Sequence, residues 1–215
     1  MSDYLQVPWS RSAWVLAICG FLVVCVALVS TSAHQAGLRL GEARQLEVNG
    51  DLAGANAIYE ELLADDPRMV DAARGLGLNL ALLGRFDDAL PYQQKVVQLD
   101  PRDSQTWIEL AFNYLNHQSE PERGLRAMDE GARLDRSPKN RTFLAQALLL
   151  NDKTSSAKAE LEAVITEHPD YSYAQVVLAR QLQRAGRLEE AAAARSGARG
   201  TEAEGGHASG ETRGL

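Results

Sequence analysis

Glycine, a small residue and proline return together at one spacing in this chain. Gly50 and Gly84, Ala55 and Ala89, and Pro67 and Pro101 are each 34 residues apart. The segments between them also align, "GDLAGANAIYEELLADDP" over "GRFDDALPYQQKVVQLDP". Three residue types keeping one register mark a short structural unit repeated along the chain, and a period of this length means that the units stack on one another.

The period continues downstream with one slip. In "WIELAFNYL", Trp107, Leu110, Ala111 and Tyr114 fall at i, i+3, i+4 and i+7, one apolar stripe of a helix. Gly124, Met128 and Gly131 follow one residue late, so the loop "NHQSEPE" has gained a residue, with Pro121 inside it. Leu144, Ala145 and Leu148 form the next first helix, and Ala157, Leu161 and Val164 the next second helix, ending at Pro169. A last pair runs from Ala174 to Leu182 and from Leu188 to about Arg195, restarting after Gly186, which lies 34 beyond Asp152.

Each unit is a helix, a tight turn and a second helix, and the pattern resembles the tetratricopeptide repeat. Leu76, Gly77, Gly84, Phe86, Ala89 and Pro101 carry the resemblance in the second unit; Trp107, Leu110, Ala111 and Tyr114 carry it in the third. The third unit departs from the pattern, with Arg136 in place of the closing proline. The first unit's opening helix departs too, with Arg39 and Glu42 at apolar positions. The resemblance covers residues 36–195, four units and a fifth that is degenerate or capping. It implies an all-α fold of stacked helix pairs in a right-handed superhelix. Gly77, Ala111, Ala145 and Ala179 are the small residues expected to let the two helices of a unit approach closely.

Pro91 contradicts the helix that its neighbours specify, because it lacks an N–H and its ring crowds the carbonyl four residues back. The repeat starts that helix near Arg85 or Phe86 and keeps Ala89 and Val96 in register. The expectation is therefore a helix that survives with a local bend or a late start.

Ahead of the repeats, no Lys, Arg, Asp or Glu occurs between Arg11 and Arg39. The apolar run from Ala13 to Ser30 approaches the length needed to span about 30 Å of hydrocarbon, and Trp9 and Trp14 at its front suit a membrane interface. A transmembrane signal anchor over residues 13–33, after a short segment 1–12, is the expectation. The alternative is a cleaved signal peptide, for which "STSA" offers small residues. The positive charges on the two sides are nearly balanced. The general habit of N-terminal anchors puts the large C-terminal part outside the cytoplasm, in a bacterial inner membrane. Cys19 and Cys25 both lie in the apolar run, about 9 Å apart along a helix, too far for a disulfide. Residues 196–215 are rich in Gly, Glu and Ala and carry too few large apolar groups to order themselves.

Composition narrows the function. With 45% hydrophobic and 24% charged residues the chain is ordinary for a folded protein. Its net charge of −7 disfavours nucleic acid as a partner. His34, His117, His168 and His207 are scattered, with no partner at metal-ligand spacing. "GLG" at Gly75–Gly77 follows no strand, and Gly77 already belongs to the repeat. Asp65, Asp66, Asp87 and Asp88 are read as turn and helix N-terminal residues. The basic cluster Arg123, Arg126, Arg133, Arg136, Lys139 and Arg141 is interspersed with Asp129, Glu130 and Asp135, so a solvated helix face is expected, the alternative being an anion site. No catalytic constellation, cofactor site or metal site is expected, and no small-molecule substrate.

Proteins that this chain resembles hold a peptide or partner helix in a concave groove lined by the first helix of each unit. Projecting that geometry here points to Arg44, Glu47, Asp71, Arg74, Gln105, Ile108, Glu109, Phe112, Asn116, Lys139, Phe143, Gln146, Tyr173, Arg180 and Arg184. Phe112, Phe143 and Tyr173 would be apolar anchors, and Arg74, Lys139, Arg180 and Arg184 would meet carboxylates or carbonyls. The alternative for Phe112 and Phe143 is packing between units. The Lys/Asn/Arg set with which some family members hold chaperone tails is not reproduced, since Leu40 and Arg44 stand where Lys and Asn are expected. The expected function is a membrane-anchored scaffold for protein assembly. The alternatives are a permanent accessory subunit of a membrane enzyme, secretion or cytochrome-maturation complex, and a secreted repeat protein.

Overall fold

The computed structural model describes residues 33–196. Ten helices and no strand occupy these residues: α1 (33–48), α2 (Leu52–Asp65), α3 (Val70–Leu82), α4 (Phe86–Leu99), α5 (Ser104–Asn116), α6 (Pro121–Leu134), α7 (Pro138–Leu150), α8 (Thr154–Glu167), α9 (Ser172–Arg184) and α10 (188–196). Among the described residues none of these helices is long and apolar enough to cross a membrane. Residues 13–32 of the expected spanning segment, including Cys19 and Cys25, lie outside the described residues, and Ala33 opens α1. The tail beyond Ser196 also lies outside them.

The turn inside each helix pair has one device. A residue with positive φ ends the first helix of every pair: Gly50 (82°), Gly84 (74°), Ser119 (53°), Asp152 (57°) and Gly186 (75°). Their intervals are 34, 35, 33 and 34 residues, which locates the slip expected in "NHQSEPE" at the loop before Pro121. Glycine adopts this left-handed conformation without steric cost, whereas Ser119 and Asp152 hold it against a penalty of roughly 1–2 kcal/mol each.

Short polar side chains and prolines set the helix starts. The Asp51 and Asp103 carboxylates accept from the Gly54 and Thr106 amides at 2.9 and 3.2 Å, satisfying N–H groups that have no partner inside the helix. Ser137 caps α7, and Pro121 and Pro138 occupy first helical positions, where a missing N–H costs nothing. Pro138 thus closes the third unit two residues after Arg136, the position at which the repeat pattern lacks its proline.

The chain forms two compact units, Met1–Ala72 and Ala73–Leu215, and their boundary falls within α3. In the first, Ala43 of α1 and Ala55, Tyr59 and Leu62 of α2 are buried, and Arg39 pairs with Glu61. In the second, consecutive helices from α4 to α9 pack side by side, and α5, α7 and α9 also touch one another in a single row. Two apolar cores fill this unit. One centres on Leu110, Ala111, Tyr114 and Met128, the other on Ala145, Leu161, Val164 and Leu178.

The small residues act as expected. Ala111, Ala145 and Ala179 are at most 1% exposed, and a Cβ on Gly77 would lie 3.3 Å from the Tyr92 Cβ. The closest pairing is α5 with α6. A Cβ on Gly124 would fall 2.5 Å from Leu115 Cγ, and one on Gly131 would fall 2.6 Å from Ile108 Cδ1. Asn113, 2% exposed, joins α5 to α4 by donating to the Phe86 carbonyl (2.9 Å) and Gln93 Oε1 (3.0 Å).

Helix α4 runs without interruption from Phe86 to Leu99 with Pro91 inside it, so there is no late start. Its first bond joins the Ala89 amide to the Arg85 carbonyl at 3.0 Å, and Pro91 removes the bond to the Asp87 carbonyl. Asp87 and Pro91 are both exposed, which leaves that carbonyl to water. Ala89, Gln93, Val96 and Val97 are buried on the opposite side and hold the helix in place.

One expectation is overturned here. Arg141 does not belong to a solvated face: it is 4% exposed and bonds Glu160 and Glu167 of α8, both at 2.5 Å. Its partners lie 19 and 26 residues downstream, outside the reach of a local charge pattern. Arg123 and Arg133, by contrast, pair locally, with Glu120 at the N-cap of α6 and with Glu130 on the same helix.

Candidate functional site

The first helices present one repeating face. Residues 105, 109, 112 and 116 of α5 lie at i, i+4, i+7 and i+11, a single stripe. Stepping by 34 gives 139, 143, 146 and 150 on α7, and 173, 177, 180 and 184 on α9. Within the second unit the same register on α3 gives Gly75, Leu78 and Leu82. Leu78, Leu82 and Leu150, 38%, 67% and 58% exposed, lie on this stripe, while Leu83 and Leu188 of the same unit are exposed away from it. The sequence projection omitted all three; applying the 34-residue step to Phe112 and, in both directions, to Asn116 would have found them.

The predicted residues separate by environment. Arg44 and Asp71 belong to the first unit and pair with each other at 3.4 Å. Glu47, also in that unit, hydrogen-bonds Tyr59 and has a buried oxygen, so it does not line an open face. The Tyr59 hydroxyl is driven well above the ordinary phenol range, by burial first and by its Glu47 bond second. Ile108 is a second correction: at 4% exposure it fills the space over Gly131 and is core.

At the α3–α5 end of the stripe the charges are engaged. Arg74 Nε bonds Asp103 Oδ2 at 2.6 Å, and its Nη2 stands 3.6 Å from Asp100, so Arg74 fixes α3 to the start of α5. Gln105 donates to Glu109 at 2.9 Å. Burial raises the Glu109 carboxyl above its usual range; the Gln105 bond opposes that shift, Asp103 adds to it and Arg74 opposes it. Asn116 is exposed at the end of α5.

Phe112 and Phe143 meet edge to face with centroids 5.0 Å apart, joining α5 to α7. Both are only partly buried, so packing between units and an outward apolar edge coexist in the same pair. Lys139 stands 5.7 Å over the Phe143 ring. Gln146 donates to the Tyr173 hydroxyl at 2.7 Å, joining α7 to α9.

At the α7–α9 end the stripe opens into a cavity of about 260 Å3, lined by Gln146, Leu149, Leu150, Val177, Arg180, Gln181 and Arg184. Its walls are aliphatic and its rim carries two guanidinium groups. Arg180 and Arg184 are exposed and have no ion-pair partner among the described residues. Such a hollow has room for one or two side chains, and each guanidinium has the geometry to bind a carboxylate. Among the described residues no group of His, Cys, Asp and Glu is arranged to hold a metal ion.

Comparison with known proteins bears on the fold. The tetratricopeptide repeat family model matches residues 40–104. No curated protein matches the chain. Among solved structures, the MamA protein superposes with a TM-score of 0.71 at 19% identity, over 84% of this chain and 97% of that one. MamA 41-end from Desulfovibrio magneticus RS-1 gives 0.71 at 15%, over 79% and 96%. YrrB, described as a TPR protein with an unusual peptide-binding site, gives 0.67 at 16%, over 76% and 84%. Residues 40–104 are thus tetratricopeptide repeat by sequence, and the described helices have the fold of solved tetratricopeptide repeat structures.

Proposed function

We propose that this protein is a scaffold that recruits protein partners through the stripe on its first helices, and that residues 13–33 tether it to a membrane. The observation that carries the reading is the composition of the stripe in the second unit. Exposed Leu78, Leu82 and Leu150 and the edge of Phe112 supply apolar contact, and the unpaired Arg180 and Arg184 border a hollow sized for side chains. A partner segment with apolar residues followed by carboxylates matches that order. Binding of this kind uses a few apolar and arginine anchors surrounded by weaker contacts. The membrane tether is supported by the charge-free run between Arg11 and Arg39. Confinement at a membrane raises the effective concentration of partners there, so modest affinity suffices.

The test is a pull-down from membrane extract with the full chain and with a Leu82→Glu/Arg180→Glu/Arg184→Glu variant, followed by mass spectrometry. All three side chains are exposed, so the helical circular dichroism is expected to stay unchanged while partners are lost. A folded variant that retains every wild-type partner removes the stripe as the binding site.

A further inference from the structure

A second concavity lies on the other side of α5. With about 100° of rotation per residue, Trp107, Leu110 and Tyr114 centre roughly 160° away from the stripe of Gln105, Glu109, Phe112 and Asn116. They floor a groove of about 570 Å3, with Gln94 and Gln98 of α4 on one wall and Arg123, Arg126 and Asp129 of α6 on the other. Built ligand sites span roughly 300–1,000 Å3.

Three features of the groove have unused binding capacity. Tyr114, 4% exposed, accepts at its hydroxyl from Gln94 Nε2 (2.8 Å) and from Arg123 Nη2 (2.7 Å), and the Arg123 guanidinium also stands 4.3 Å over its ring. A phenol that receives two donors still has its own proton to give, and no acceptor for it is found among the described residues. Arg126 and Asp129, exposed one turn apart on the rim, have no ion-pair partner among the described residues, whereas Arg123 and Arg133 beside them are held by Glu120 and Glu130. Trp107 is fixed by its bond to the Pro101 carbonyl at 3.0 Å and offers a rigid apolar surface.

The geometry points to an extended peptide segment of a partner protein as the occupant, alternating apolar and charged residues, with an acidic and a basic residue two positions apart. Gln94 and Gln98 are separated by one helical turn, about 6 Å of rise. That is close to the roughly 6.6–6.8 Å between like-facing residues of an extended chain. Two side-chain amides can therefore serve successive peptide groups of one strand, and the Tyr114 hydroxyl can donate to a carbonyl between them. Alternation sends the apolar side chains onto Trp107 and Leu110 and leaves the charged ones at the rim, the acid against Arg126 and the base against Asp129. A helical occupant would satisfy its own backbone and leave the Tyr114 proton and the Gln98 amide without a partner. Two faces of one helix would then hold two different partners.

The probe is the fluorescein-labelled peptide Ser-Val-Glu-Val-Arg-Val-Ser, titrated by fluorescence anisotropy with the full chain in detergent. Saturable binding to the wild type is expected, together with a loss of about tenfold for Arg126→Glu, where like charges would then face each other. Arg126→Glu should in turn prefer a peptide whose glutamate is replaced by arginine, a reversal that loss of folding cannot produce. Tyr114→Phe, which keeps the ring, should weaken the first peptide without changing the charge preference. The proposal is overturned if the wild type does not bind the probe, or if wild type and Arg126→Glu bind both peptides alike.

Discussion

Asp103 and Glu109 lie six residues apart at the start and middle of α5, and their acidities move in opposite directions. Burial alone would raise the Asp103 carboxyl; the Thr106 hydroxyl, the Arg74 guanidinium and the Thr106 amide all hydrogen-bond its charged form and bring it below the usual range. Burial dominates for Glu109, and the single bond from Gln105 does not reverse it. The consequences for stability are opposite in sign. Asp103, lower when folded, stabilises the fold above its unfolded pKa of about 3.9, and that contribution is lost as pH falls through the folded value. Glu109, raised when folded, is best tolerated below about 4.3 and becomes a cost as pH rises through its folded value. Glu109→Gln keeps an acceptor for Gln105 and removes the buried charge. Thermal unfolding should therefore show it level with the wild type near pH 4 and more stable at pH 7, whereas Asp103→Ala should lose about 0.5–2 kcal/mol at pH 7 with its cap. A Glu109→Gln advantage that does not change with pH would contradict this assignment.

These single-residue balances are where the sequence is least informative. The small residues Gly77, Ala111, Ala145 and Ala179 were legible because the period places them, and the fold needs them at one register. Arg141 was not, because its partners Glu160 and Glu167 are on the next helix and only tertiary packing brings them to it. Ile108 and Glu47 were misplaced for a related reason. A stripe read from one helix does not show how far the neighbouring helix covers its edge.

At the scale of the element, packing overrides propensity twice. Pro91 sits inside α4, yet the helix is continuous because Ala89, Gln93, Val96 and Val97 are buried on its far side. Gly124 and Gly131 sit inside α6, where alanine would be favoured by roughly 0.5–1 kcal/mol on propensity alone. A Cβ at position 124 would also meet the Ala111 carbonyl oxygen at 3.2 Å, a backbone atom that cannot rotate away. Overpacking of this kind costs typically 1–3 kcal/mol, so Gly124→Ala should destabilise the protein despite its better helix propensity. Denaturant unfolding measures the difference, and a stabilised Gly124→Ala would show that α5 and α6 are not in close contact. The helices and their order were legible from the period, and so was the turn slip before Pro121. The left-handed residues at Ser119 and Asp152 were not, because neither residue type announces that conformation as glycine does.

At the scale of the molecule, one register repeated on successive first helices turns a row of side chains into a surface. No single helix pair contains the proposed site: Leu82 comes from α3, Phe112 from α5, Gln146 from α7, and Arg180 and Arg184 from α9. Stacking of neighbours creates it, as it creates the cores between them. Much of the face was legible because the resemblance assigns it to the first helices. The hollow beside Arg180 was not, since it depends on how α7 and α9 pack. The central claim is that partners engage the stripe and not the outer surface of α8. Site-specific photo-crosslinking in cells tests this directly, with a benzophenone side chain placed at Gln146, beside the hollow, or at Glu162, exposed on α8. The account predicts crosslinked partners from position 146 and none from position 162. Equal crosslinking from both positions, or partners from position 162 alone, would contradict it.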